Sequence, residues 1–208
     1  EPNTEELRDC AMKVWAGPLE RAGWLRPRPA VTVSSEAVTT ACGTLPTHNA
    51  YYCSGDQRLY YATDLPEVYA YYAPGVLNNA FIIDTVMAHE FGHAIQGRTG
   101  IWIAYAAFRQ RAKDEAEWLE YSRRSEVQAD CLSGMFLNAV AKATKLTKTE
   151  REGIPQIIAA LGDDTLGEPG KPGDHGLGAT RSHWAETGLK SKKASACNTW
   201  TAPAKQVR

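Results

Sequence analysis

Three residues in one apolar stretch have the types and spacing to do chemistry: His89, Glu90 and His93, in His89-Glu90-Phe91-Gly92-His93 within the run from Phe81 to Gln96. On an α-helix, residues four apart share a face, so both imidazoles would point the same way. Two neutral imidazole nitrogens so placed suit one zinc ion, at bond lengths of about 2.0–2.1 Å. Glu90 would stand on the neighbouring edge of that face, where its carboxylate reaches a water beside the metal without ligating it. This is the H-E-x-x-H arrangement of two metal ligands and a general base. The competing reading is a pair of hydrogen-bonded core histidines, because Ile82, Ile83, Val86, Met87, Phe91, Ala94 and Ile95 give the helix a broad apolar surface. Zinc is the better account of the spacing.

Two histidines leave a catalytic zinc one protein ligand short. Completion close by, as H-E-x-x-H-x-x-G-x-x-H, fails because position 99 is Thr and the next histidine is His175. Completion from a second helix would use a carboxylate. Glu126 and Asp130 stand i, i+4 in Arg123-Arg124-Ser125-Glu126-Val127-Gln128-Ala129-Asp130-Cys131. Glu126 could be the third ligand, and Asp130 could accept the outer N–H of a ligand histidine, which fixes the tautomer and raises its basicity. The alternative is an exposed face on which Arg123, Arg124, Glu126 and Asp130 form ion pairs, although the residues from Cys131 to Leu137 read as buried. His175 is a further candidate: an imidazole there could donate a hydrogen bond to the oxyanion of a tetrahedral intermediate. It could equally order its own loop or lie on the surface. His183, inside the following helix, is a weaker rival.

Helices and strands must position these residues. Thr4 can cap a helix from Glu5 toward Glu20, ended by Pro27 and Pro29. Ala30–Ser34 and Gln57–Thr63 read as strands, the second being the candidate sheet edge for an extended substrate. Leu65–Tyr72 reads as a short helix, and Pro74-Gly75 as a turn before the histidine-bearing helix. Asn78 or Asn79 could begin that helix, and Gly97 could end it. From about Trp102 to Ala143 the chain reads as helical, with a break near Tyr121-Ser122. Thr147 or Thr149 would cap a further helix in which Pro155 demands a nearby start or a kink. The stretch from Gly162 to Gly178 is rich in Gly and Pro and reads as a flexible loop without helix or strand. A last helix to Gly188 and a polar tail with Cys197 and Trp200 follow.

Composition narrows the function classes. The 208 residues fit one domain, 1–208, with a sizeable core. A net charge of -1 gives no case for a nucleic-acid partner. No apolar run approaches the roughly 20 residues of a bilayer span. The chain opens on Glu1-Pro2-Asn3-Thr4, so any signal or anchor segment is expected to be missing from this sequence. Cys42 and Cys53 bracket a loop and read as a disulfide. With 5 cysteines at least one stays free, and the count favours an oxidising, extracytoplasmic compartment.

Four blocks in the same order resemble the bacterial family known as putative neutral zinc metallopeptidases. They are Ala41-Cys42-Gly43 through Tyr52-Cys53 with Asp56-Gln57 and Tyr60; Ala88 to Gln96; Glu126 to Gly134, as E-x-Q-A-D-C-x-x-G; and His175-Gly176 with Arg181 and Trp184. The resemblance spans about residues 38 to 190. It departs from the common pattern at Ala94 and Ala185, neither of which would face a metal. It implies an α+β, zincin-like fold of the gluzincin type, mostly helical with a small sheet beside the active-site helix. It also implies one zinc ion held by His89, His93 and Glu126, with Glu90 as base. Because Cys131 lies inside a shared block while Cys10 and Cys197 lie outside, it further implies a Cys10–Cys197 disulfide and a reduced Cys131. The expected activity is a secreted metallopeptidase, an endopeptidase, acting as a monomer on a peptide or protein substrate. Its rivals are a zinc hydrolase of non-peptide substrates and an inactive binding module, the latter opposed by the presence of Glu90.

Overall fold

The computed structural model describes residues 3–168, 171 and 173–208. Helix α1 (Thr4–Arg21) is capped by Asn3, whose side chain accepts the Glu6 N–H, one residue before the expected Thr4. Among the described residues the strands are β1 (Ala30–Ser34), β2 (Val38–Thr40), β3 (Gly43–Leu45), β4 (Ala50–Cys53) and β5 (Arg58–Ala62). β1 pairs parallel to β5, from Ala30↔Arg58 to Ser34↔Ala62, and β4 pairs antiparallel to β5, from Ala50↔Tyr61 to Cys53↔Arg58. β2 and β3 form a separate antiparallel pair. The β5 segment is therefore central in the order β1-β5-β4, and cannot be the edge it was expected to be. The edge that remains beside the histidine helix is β4.

The helices are α2 (Leu65–Tyr72), α3 (Ile82–Arg98), α4 (Ile101–Arg111), α5 (Glu115–Val140), α6 (Lys148–Ala159), α7 (Asp163–Leu166) and α8 (Gly178–Lys190). α3 is buried without interruption from Thr85 to Gln96, as a helix apolar on all sides should be when others enclose it. It packs against α1, α4, α5, α6 and the β4–β5 pair. The break in the long helical stretch falls at Ala112–Asp114, not at Tyr121-Ser122. Asp114 starts α5 by accepting the Glu117 N–H at 2.9 Å, while Tyr121 and Ser122 continue the helix. Thr147 and Glu150 form a capping box on α6.

Two further expectations are corrected. The Gly/Pro-rich stretch does hold a helix, α7, because aspartate side chains satisfy the backbone beside it. Asp163 accepts the N–H groups of His175 and Gly176, at 3.3 and 2.6 Å, and Asp164 accepts that of Gly178 at 2.7 Å. Pro169, Gly170 and Pro172 of that stretch lie outside the described residues. The disulfides are Cys42–Cys53 and Cys131–Cys197, with Cys10 free, so the Cys10–Cys197 pairing is wrong. The tail turn Ala194–Cys197 packs on α5 and brings the Cα of Cys197 within 5.5 Å of that of Cys131. Cys10 lies on α1 instead. The fold is α+β, mostly helical with a small sheet. Among the described residues, no helix is long and apolar enough to cross a membrane.

Candidate metal centre

α3 and α5 approach closely enough to share one centre because Gly92 faces Ala129. A Cβ on Gly92 would lie 3.0 Å from the Ala129 Cα, so a larger residue there would push the helices apart. At this crossing the Nε2 atoms of His89 and His93 are 3.1 Å apart, and the Oε2 of Glu126 is 3.3 and 3.4 Å from them. Ligand atoms at about 2.0–2.1 Å from a tetrahedral metal stand about 3.3–3.4 Å from one another. The triangle has the size that a zinc ion requires.

Electrostatics point the same way. The Nδ1 of His89 lies 2.7 Å from Asp130 Oδ1, and the Nδ1 of His93 lies 2.8 Å from Gln96 Oε1. Both outer nitrogens therefore donate, and both inner nitrogens turn lone pairs toward the Glu126 carboxylate. Something positive must sit between three such atoms, either protons or a metal ion. Burial alone would lower the pKa of His89, but the Asp130 carboxylate beside it overcomes burial and lifts it to about 10. Burial would raise Glu126, yet the neighbouring His93 and His175 hold it well below the usual carboxylate range. Asp130 is itself fully buried and paired by Arg181, whose Nε and Nη2 donate to its two oxygens at 2.9 and 3.0 Å. A third arm of Arg181 donates to the Leu161 carbonyl at 2.7 Å.

Glu90 is buried beside this triangle, and its Oε2 accepts the Tyr52 N–H at 2.8 Å. The bond runs from the free edge of β4, which ties the sheet to α3. The triangle and Glu90 open onto one cleft of about 620 Å³. His89, Glu90, His93, Glu126, Arg181 and His175 line it on one side, and Ala50, Tyr51 and Tyr52 of β4 on another. His175 is half-exposed, with its Nδ1 donating to Asp174 at 2.7 Å. Burial lowers its pKa, but Glu126 and Asp174 raise it above the ordinary histidine value. His183 is not among the cleft residues; its ring packs edge-on against Trp184. Asp163, Asp174 and His175 form a second cluster of possible ligand atoms beside the first.

The structure thus brings together His89, Glu90, His93, Glu126, Asp130 and His175. Sequence reading missed the parts played by Gln96, Arg181 and the Tyr52 backbone. Gln96 and Arg181 are visible in the motif blocks, but nothing in their spacing tells what they hold. A main-chain N–H carries no sequence signal at all.

A family model described as "Putative neutral zinc metallopeptidase" matches residues 6–200. Among curated proteins, the chain is similar to "Uncharacterized protein Rv2575" of Mycobacterium tuberculosis, 28% identical over 197 residues covering 84% of this chain. It is also similar to "Uncharacterized protein YpfJ" of Escherichia coli K12, 26% identical over 197 residues covering 89% of this chain. It spans 63% and 66% of the length of those two relatives. No solved structure matches the chain. With the family model covering nearly its whole length, the chain belongs to the putative neutral zinc metallopeptidase family.

Proposed function

We propose that this chain is a zinc-dependent endopeptidase domain in which His89, His93 and Glu126 hold one metal ion and Glu90 is the general base. The observation that carries this reading is the triangle of two imidazole nitrogens and one carboxylate oxygen at 3.1 to 3.4 Å, with Glu90 in the same cleft. Zinc bound there would supply Lewis acidity and a water acidic enough to lose its proton near pH 7. Glu90 takes that proton and later passes it to the leaving amine. The Tyr52 N–H fixes one carboxylate oxygen, so the other is the one that moves the proton. An extended substrate lies along the outer edge of β4, where the Tyr52 and Ala50 N–H groups are already held by Glu90 and the Asn49 side chain, so it meets the carbonyls of that edge. His175, with its Nδ1 held on Asp174 at 2.7 Å, would offer its other nitrogen, when protonated, to the oxyanion. The two disulfides support an extracytoplasmic location.

Protein purified without added metal should carry about one zinc per chain, as a single site requires. Glu126→Ala should lose it. Glu90→Gln should keep zinc and fold but lose cleavage across a diverse peptide library, mostly in kcat. His175→Ala should keep zinc and lower kcat roughly 10²–10³-fold at similar KM. A zinc-loaded wild-type protein that cleaves no peptide in the library would overturn the peptidase reading.

A further inference from the structure

Asp130 orients His89, and Arg181 holds Asp130. The second histidine, His93, has a support of a different kind. Gln96 Oε1 faces three donors: the Nδ1 of His93 at 2.8 Å, the indole N–H of Trp102 at 3.1 Å and the hydroxyl of Ser125 at 3.1 Å. The Gln96 amide nitrogen faces two acceptors, the Ser125 carbonyl at 2.8 Å and Gln128 Oε1 at 3.0 Å. Gln128 repeats the pattern. Its oxygen also accepts the Trp200 indole N–H at 3.3 Å, and its nitrogen donates to the Cys197 carbonyl at 3.0 Å. Gln96 is completely buried and Gln128 nearly so.

The direction of this chain is not free to reverse. A backbone carbonyl can only accept and an indole N–H can only donate. Cys197 and Trp200 therefore fix the Gln128 amide from both ends. Gln128, the Ser125 carbonyl and the Trp102 indole N–H together fix Gln96. Gln96 in turn presents an oxygen to His93 and requires a hydrogen on Nδ1, which leaves Nε2 as the nitrogen that faces His89 and Glu126. The anchor of the chain is the tail, and the tail is held to α5 by the Cys131–Cys197 bond.

We propose that Gln96 and Gln128 are positioning residues, a directional amide relay through which the tail segment Cys197–Trp200 reinforces the tautomer and aim of His93 that Trp102 and Ser125 also favour. The affinity of the site for a divalent metal then depends in part on a segment remote in sequence and on its disulfide. The inference rests on the metal site proposed above. It grades the participants: Gln96 touches His93 directly, Gln128 acts one bond away, and the disulfide acts through the backbone carbonyl of Cys197. Ser125 and Trp102 share the orientation of Gln96, so the effect should diminish along that order.

The experiment measures zinc affinity by chelator competition, and the absorption of the cobalt-substituted protein, in wild type, Gln96→Met, Gln128→Met and Cys131→Ser/Cys197→Ser. Loss of a group that orients a ligand histidine typically weakens metal binding 10–100-fold. Gln96→Met should fall in that range with an altered cobalt spectrum. Gln128→Met and the double cysteine variant should lose progressively less, and Cys42→Ser/Cys53→Ser should change neither readout. A measurement on the unaltered protein covers variants that fail to fold. In zinc-loaded wild type, the His93 Nδ1–H and the side-chain amide protons of Gln96 and Gln128 should exchange slowly with solvent. Rapid exchange of the Gln128 amide, or a folded Gln96→Met protein with wild-type affinity and spectrum, overturns the relay. Wild-type protein that binds no zinc would instead remove the metal site itself.

Discussion

At the scale of single residues, Asp130 has two partners with opposite demands on any substitution. It accepts from His89 and neutralises the buried Arg181, both within 3.0 Å. Asp130→Asn keeps the shape, but leaves the buried Arg181 guanidinium without the carboxylate it is bonded to. Breaking a buried pair in this way costs about 3–5 kcal/mol. Urea unfolding of the metal-free variant should show a loss of that order; a loss below about 1 kcal/mol would mean that Arg181 is neutralised elsewhere. The sign of the pH dependence follows from the same pair. Burial would raise the Asp130 pKa, but Arg181 and His89 outweigh burial and depress it. Its stabilisation is therefore complete above the unfolded aspartate range, near about pH 4, and is lost as pH falls through the lower folded value. Asp130→Asn should flatten that acid limb. The carboxylate was legible from its i, i+4 spacing to Glu126, whereas Arg181 lies 51 residues away and becomes a partner only through the packing of α8.

At the scale of elements, α5 and α8 form the most extensive contact in the fold, and glycines make it possible. A Cβ on Gly188 would collide with the Cys131 carbonyl, and one on Gly134 with the Ala185 carbonyl. Gly188→Ala must therefore part the helices and draw Arg181 away from Asp130. Overpacking of this kind costs typically about 1–3 kcal/mol. The variant should unfold at lower urea concentration and bind zinc less tightly, and an unchanged midpoint would show that α8 can shift without cost. Elements with strong local signals were legible: α3 from its long apolar run, α6 from a threonine cap that could be Thr147 or Thr149 and is Thr147, and β1 from its β-branched residues. What depends on tertiary order was not. Strands can be read singly, but that β5 lies between β1 and β4 cannot. The helix break at Asp114 was hidden because the flanking residues favour helix on both sides, and only the cap marks it. The Cys131–Cys197 bond depends on where the tail folds, which cysteine spacing does not encode.

At the scale of the whole molecule, the tail after α8 joins parts of the fold that the helices alone leave separate. Arg124 donates to the carbonyls of Thr199 and Ala202, and the Thr199 hydroxyl returns a bond to the Arg124 carbonyl. Further on, Arg123 donates to the Val207 and Gly173 carbonyls, Trp184 to that of Gln206 at 2.7 Å, and the Leu177 N–H to that of Arg208. The tail thus has two stretches with different clients. Residues 197–202 grip the part of α5 that carries Glu126 and Gln128. Residues 203–208 grip α8 and the segment that carries His175, with Val207 fully buried among them. A chain ending at Ala202 keeps the disulfide and the first stretch but removes the second. It leaves the Trp184 indole N–H and Arg123 short of acceptors, each loss worth about 1–3 kcal/mol where the donor is buried. The expected result is a protein that still binds zinc at nearly full affinity, melts at lower temperature, and exchanges the Leu177 amide faster. Its peptide cleavage should fall, because His175 lies two residues before that amide and loses the same anchor. A chain ending at Ala196 removes both stretches and should bind zinc more weakly as well. Equal zinc loss in the two truncations would show that the tail acts as one piece, and an unchanged melting temperature in the shorter deletion would show that residues 203–208 hold nothing.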